Sequence, residues 1–173
     1  MNLYACYIGG THEKALIELH DMRFVVANQL EDTFEPLRQS WWGTPKSLHI
    51  DAWGILHSVD GYDVHIRNTP PPADHPKLYF VNLGGYTETE FTELHQNVFV
   101  VAESPVKARV KALKPIQHWE SPHKDYEYEV EDIVCVDTAT LKDSTQYAHL
   151  TPTSTPTPFA FSAKRIPIGK KES

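Results

Sequence analysis

A chain of 173 residues that is 40% hydrophobic, with 4 Trp, 8 Tyr and 7 Phe, has the material for one ordinary domain or two small ones with a real core. Its formal charge of −7 repels phosphate backbones, so nucleic acid is an unfavourable general partner. No apolar run approaches the roughly 18 residues of a membrane span, and the stretch Leu3–Ile8, without a basic region before it, reads as a first strand and not as a signal peptide.

Gly9-Gly10 follows that strand. Glycine adopts positive φ without steric cost, so the pair is expected at a turn or at a close backbone approach. Ile17–Ala27 reads as a second extended run ending in Phe24-Val25-Val26. The Gly10–Ile17 loop is longer than a tight hairpin, so the two strands need not be neighbours. Leu30, Phe34, Leu37 and Trp41 then form one helical stripe, with Thr33 as N-cap and Pro36 in the first turn. Leu48–Val59 and Tyr62–Ile66 flank Asp60-Gly61, a strong hairpin signal. Cys6 lies in a strand-like apolar run, as does Cys135; two buried thiols suit a reducing cytoplasm.

The proline-rich stretch Asn68–Pro76 reads as a linker. After it the pattern returns. Residues 3–27, LYACYIGGTHEKALIELHDMRFVVA, align without a gap on residues 78–102, LYFVNLGGYTETEFTELHQNVFVVA. Identical are Leu3, Tyr4, Gly9, Gly10, Glu13, Glu18, Leu19, His20, Phe24, Val25, Val26 and Ala27, far more than unrelated segments share. In the second copy Ser104-Pro105 starts a helix with Val106, Val110 and Leu113 as its apolar stripe. A weaker hairpin, Asp125–Val130 with Ile133–Val136, follows. The expected organisation is repeat 1 over 1–67, a linker over 68–76, repeat 2 over 77–137, and a Thr/Pro-rich tail over 138–173, largely disordered. The expected fold class is α+β: two tandem repeats of strand–strand–helix–β-hairpin related by pseudo-two-fold symmetry, sharing one sheet or packed face to face.

The run Gly9-Gly10, Glu18-Leu19-His20-Asp21, Phe24-Val25-Val26-Ala27, His49-x-Asp51 and Asp60-Gly61-Tyr62 resembles the bacterial family called domain of unknown function 1543. Members carry one or two copies of the unit, and the resemblance covers roughly residues 1–137. In the second copy Gln96 replaces the acid after the histidine and no Asp-Gly turn follows. The resemblance implies no activity, cofactor or catalytic residue.

Residues kept in both copies are the best site candidates. Glu18/His20 and His49/Asp51 are each two apart in a strand, so each pair shares a face; Glu93/His95 and His123/Asp125 are their counterparts. Two imidazoles and two carboxylates can hold a divalent ion or act as an acid/base pair. A hydrogen-bonded structural set is the reading preferred from sequence. No cofactor motif and no metal signature is present; His20, His49, Glu18 and Asp51 are the candidates should an ion bind. Gly9, Gly10, Gly84 and Gly85 are read as turn glycines, because a phosphate loop needs a helix directly after it. Trp42 is off the helical stripe and expected to be exposed. Lys107, Arg109, Lys111 and Lys114 give the second helix a basic face, against Glu31, Asp32 and Glu35 in the first. Such faces offer surfaces for homodimerisation or for an acidic partner.

The expected function is therefore a cytoplasmic, non-enzymatic module that binds a small molecule or a protein. The alternatives are a metal-assisted hydrolase using the duplicated His/carboxylate sets and an RNA-associated accessory protein using the basic face and tail. An enzyme site would be open, whereas a structural set would be buried and fully hydrogen-bonded.

Overall fold

The computed structural model describes residues 1–129 and 146–169. In chain order these form β1 (Asn2–Gly10), β2 (Leu19–Ala27), α1 (Phe34–Ser40), β3 (His49–Ile55), β4 (Ser58–Val59), β5 (Tyr62–Arg67), β6 (Lys77–Gly85), β7 (Leu94–Ala102), α2 (Pro105–Ala112), β8 (His123–Glu129), β9 (Tyr147–Pro152) and β10 (Phe161–Pro167). The class is α+β. Three sheets form, in the orders β10-β3-β1-β2, β4-β5-β9 and β7-β6-β8.

β1 and β2 are antiparallel neighbours despite their long loop, from Asn2↔Ala27 to Gly10↔Leu19. β6 and β7 pair from Lys77↔Ala102 to Gly85↔Leu94, the same register 75 residues on. The third strands agree as well. β3 joins β1 with a bulge opposite Tyr7/Ile8, and β8 joins β6 with a bulge opposite Asn82/Leu83. Strand alternation explains the layering. Leu3, Ala5 and Phe24 face Leu78, Phe80 and Val101 from the other large sheet, and Leu56, Val59 and Leu150 close this central core. Tyr4, Cys6, Ile8 and Val25 point the other way, onto Leu37 and Trp41 of the α1 segment. Tyr79, Val81 and Leu83 likewise meet Ala108 and Ala112 of α2.

The helices differ from expectation. The first begins as a 3-10 turn over Leu30–Thr33 and becomes α-helical only at Phe34. In α2 the Ser104 hydroxyl caps Lys107 N–H, but Val106 and Val110 are 72% and 62% exposed. The buried stripe is Ala108/Ala112, because small side chains let the helix backbone lie close to the sheet. Trp42 is exposed, as its position off the stripe implies.

The reading of 138–173 as a largely disordered tail is corrected for residues 146–169. β9 pairs β5 from Tyr62↔Pro152 to Arg67↔Tyr147, and β10 pairs β3 at the edge of the first sheet. Ile168 is buried against Leu48 and Trp41, its amide bonds Leu48 O, and Arg38 Nε donates to its carbonyl. The Thr/Pro-rich composition describes only the connection between these strands. The expected second strand Ile133–Val136, Cys135 and the tail lysines Lys170 and Lys171 lie outside the described residues.

Gly9, Gly10, Gly84 and Gly85 are not turn glycines: all four lie inside strands β1 and β6. Positive φ among the described residues occurs only at Asp60 (51°) and Gly61 (80°), the tight turn between β4 and β5.

Candidate functional site

Gly9 pairs with His20 of β2 on one side and with His49 of β3 on the other. The two histidines are therefore not on adjacent strands; β1 separates them. They meet because Gly9 has no side chain. A Cβ there would stand 2.7 Å from Asp51 Oδ2, 2.9 Å from His49 Nε2 and 3.0 Å from His20 Cδ2. Gly84 holds the same place between His95 and His123 in backbone register. The β3 bulge falls at Asp51, which has no opposite number on β1, and such bulges re-aim a side chain. Asp51 thus joins His49 over the glycine.

The first-half set comes together as the paired spacings required. His49 Nε2 lies 3.2 Å from Glu18 Oε1 and 3.2 Å from Asp51 Oδ1. His20 Nε2 lies 3.4 Å from Asp51 Oδ2 and 3.7 Å from Glu18 Oε2. The His49 side chain is 1% exposed; those of His20, Glu18 and Asp51 are 36%, 43% and 28% exposed. The set is thus buried at one end and open at the other. Tyr7 stacks on His20 with ring centroids 5.2 Å apart and planes 4° from parallel, which fixes that imidazole. Burial, and then the charges of Asp51 and Asp21, push the Tyr7 phenol above its ordinary 10.0, so it stays a neutral hydroxyl beside the site.

Two contacts at His49 Nδ1 exclude one another. Ser47 O at 2.8 Å needs a proton on that nitrogen, whereas Arg165 Nη2 at 3.2 Å would need its lone pair. The shorter contact with a carbonyl oxygen requires the N–H. With that N–H in place, His49 turns Nε2 toward two carboxylates, and neither Nε2 nor Asp51 Oδ2 makes a hydrogen bond. The set is not the fully hydrogen-bonded one that the structural reading expects.

In the second half His95 Nε2 stands 3.5 Å from Glu93 Oε2 and its Nδ1 is 3.3 Å from Asn82 Oδ1. The side chains of His123 and Asp125 lie outside the described residues. On α2, Lys107 pairs with Glu103, and Lys111 with Asp60 at 2.8 Å; Arg109 is exposed, as is Lys114 in the 3-10 turn that follows the helix.

A cleft opens where the two large sheets part, beyond the Phe24–Phe80 contact. It measures about 570 Å³ and is lined by Tyr7, His20, Asp21 and Met22 from one sheet and Phe80, Asn82, His95 and Asn97 from the other. Tyr7 and Asn82, His20 and His95, and Met22 and Asn97 are equivalent positions at the spacing of 75. A second groove of about 390 Å³ shares Tyr7, Met22 and Asn97 and runs on to Trp53, Phe99, Phe159 and Phe161. Of these residues only His20 and His95 stand out in the sequence as site candidates. Tyr7/Asn82 and Met22/Asn97 differ between the copies, so a search for repeated identities discards them. Strand parity with Gly9 is the signal that finds Tyr7.

The family model for the Domain of Unknown Function DUF1543 matches residues 15–66. The chain is also similar to a solved structure, the crystal structure of a protein Il1583 from Idiomarina loihiensis. The two are 30% identical, with a TM-score of 0.72, over 98% of this chain and 99% of that one. No curated protein matches it.

Proposed function

We propose, for a chain that belongs to the same family as protein Il1583, that it is a non-enzymatic binding module for an amphipathic small molecule. The cleft between the two large sheets is the binding site. The two halves are tandem repeats related by a pseudo-two-fold axis, and the cleft lies where that axis brings equivalent strands together. A cytoplasmic location belongs to the same reading.

The observation that carries it is the change of lining along the facing strands. Leu3, Ala5, Phe24, Leu78 and Phe80 close the core, and the next positions outward are Tyr7, Met22, Asn82 and Asn97. Small-molecule sites are concave, mostly apolar, and carry a few placed polar groups, in volumes of roughly 300–1,000 Å³. Both regions of this cleft fall in that range. Trp53, Phe99, Phe159 and Phe161 suit a flat or apolar body; the two asparagines and the imidazoles of His20 and His95 suit a polar head.

The test is an NMR titration of the ¹⁵N-labelled protein with a set of small amphipathic aromatic acids and amides. Shift changes should gather on Tyr7, Met22, Trp53, Asn97 and Phe99. Changes scattered over the surface, or none at millimolar ligand, would refute the proposal.

A metal-assisted hydrolase is the second reading. It draws on the Glu18, His20, His49 and Asp51 set, whose His20 lines the cleft. The RNA-associated reading has less to draw on, since Lys107 and Lys111 already pair with Glu103 and Asp60.

A further inference from the structure

We propose that Glu18, His20, His49 and Asp51 form a binding site for one zinc-class divalent transition ion, held above Gly9. The inference stands on the polar set alone and does not depend on what occupies the cleft.

Four observations carry it. The first is the unpartnered nitrogen. His49 is almost wholly buried, and its Nε2 points at two carboxylates without a hydrogen bond. A buried polar atom left unpaired is costly, so native folds rarely leave one. A bound cation would satisfy it. The second is the tautomer. Nδ1–H donates to Ser47 O at 2.8 Å, which leaves Nε2 as the ligating atom. An imidazole that donates its other N–H to a carbonyl is the usual partner arrangement of a metal-bound histidine. Ser47 is itself fixed, since its hydroxyl donates to Thr44 O and accepts from Thr11 N–H.

The third observation is spacing. Tetrahedral ligands at about 2.0–2.2 Å from an ion lie about 3.3–3.6 Å from one another. The nitrogen–oxygen separations here are 3.2, 3.2, 3.4 and 3.7 Å. Among the described residues no group of three or more His, Cys, Asp or Glu side chains is placed to hold a metal ion as it stands. The reason is visible at the carboxylates: each offers one oxygen to His49 and the other to His20. A small rotation of Glu18 and Asp51, both partly exposed, would aim one oxygen of each at a shared centre.

The fourth is the space itself. The absent Cβ of Gly9 lets Asp51 Oδ2, His49 Nε2 and the His20 ring converge over the strand, where a side chain would push them apart. Charge is compatible with a cation: two carboxylates against the single guanidinium of Arg165, 3.2 Å from the far side of the His49 ring. Two imidazole nitrogens with two carboxylate oxygens make a donor set of borderline softness. That set favours zinc, cobalt or nickel over calcium or magnesium, which prefer oxygen alone. The competing account is an imidazolium shared between the carboxylates, which needs no ion.

The experiment is a Co²⁺ titration of the metal-stripped full-length protein, read by visible absorption, with Zn²⁺ competition by calorimetry. The wild type should bind with tetrahedral cobalt bands, and Zn²⁺ should displace the cobalt. The double variant Glu18→Gln/Asp51→Asn should lose one equivalent, or bind it at least about 10-fold more weakly, with an unchanged far-ultraviolet circular dichroism spectrum. Should the double variant unfold, His20→Gln, whose ring is partly exposed and lies outside the buried core, should show the same loss. A wild type that binds neither ion at 100 μM overturns the proposal and leaves the shared imidazolium. So does a folded variant that retains the full number of equivalents.

Discussion

Gly9 and His49 face each other across β1 and β3, and the imidazole occupies the space that a side chain at Gly9 would need. Glycine's backbone freedom is not used there, because the residue sits in an ordinary strand. What matters is the missing methyl. That relation accounts for the glycine and the histidine together, and it turns two strands that never pair into one site.

Replacing Gly9 with alanine should therefore be costly. The new Cβ would stand 2.7 Å from Asp51 Oδ2 and 2.9 Å from His49 Nε2, and the strand cannot retreat without breaking pairs on both sides. Overpacking of this kind costs about 1–3 kcal/mol. Urea denaturation should show the loss in ΔG; a change within 0.5 kcal/mol of zero would mean that the His49 ring moves aside freely.

The C-terminal strand should matter for stability. Ile168 is 2% exposed and packs among Leu48, Trp41 and Leu37. Ile168→Ala should cost about 2–5 kcal/mol, as other buried Ile-to-Ala changes do. Removal of residues 153–173 should be worse, since it also strips β10 from the edge of β3. Thermal unfolding of both variants checks this; a truncation that melts with the full chain would show that β10 contributes little.

How far the sequence reads ahead of the structure depends on the kind of signal. Glu18 with His20, and His49 with Asp51, are legible because strand parity fixes a face whatever the sheet order. The order itself is not: nothing in residues 10–17 says that β1 and β2 pair, and so the place of Gly9 between two histidines stays hidden. β10 escapes notice because Phe161–Pro167 alternates weakly and is mostly exposed, as an edge strand can be. Val106 and Val110 mislead because hydrophobicity is expected to face the sheet, whereas closeness of approach selects Ala108 and Ala112. The cleft is hidden for a different reason. Identity between the copies finds His20 and His95 in the cleft but passes over Tyr7/Asn82 and Met22/Asn97, in which the halves differ.

Asp60 should be the residue that ties the β4–β5 turn to the second half. Its Oδ2 accepts Val101 N–H at 2.7 Å and pairs with Lys111 at 2.8 Å. Asp60→Ala leaves the Val101 amide without that acceptor and places alanine at φ 51°, where a short polar side chain is favoured. A loss of about 1–3 kcal/mol is expected, and Asp60→Asn, which keeps an acceptor and tolerates the backbone, should recover much of it. Equal losses from both variants in chemical denaturation would count against the amide bond as the cause.

Tyr7 should make stability fall at alkaline pH. Its folded-state pKa lies above 10.0, so between 10.0 and that raised value the folded chain holds a proton that the unfolded chain has released. Stability owing to this group is unchanged below pH 10 and declines as the pH rises through that window. Tyr7→Phe should flatten that part of the profile. Melting temperatures of both proteins from pH 9 to 11 test the sign; parallel curves would show that Tyr7 is not the group responsible.

The central claim is that the cleft between the sheets binds an amphipathic molecule, and a fluorescence titration with 8-anilinonaphthalene-1-sulfonate tests it most directly. Trp53 lines the apolar end of the cleft and serves as an energy-transfer donor to the bound dye. The account predicts saturable binding to the native protein, quenching of tryptophan emission, and loss of both when Met22→Trp fills the shared middle of the two grooves. Dye binding that is absent, that never saturates, or that is unaffected by a folded Met22→Trp variant would contradict it.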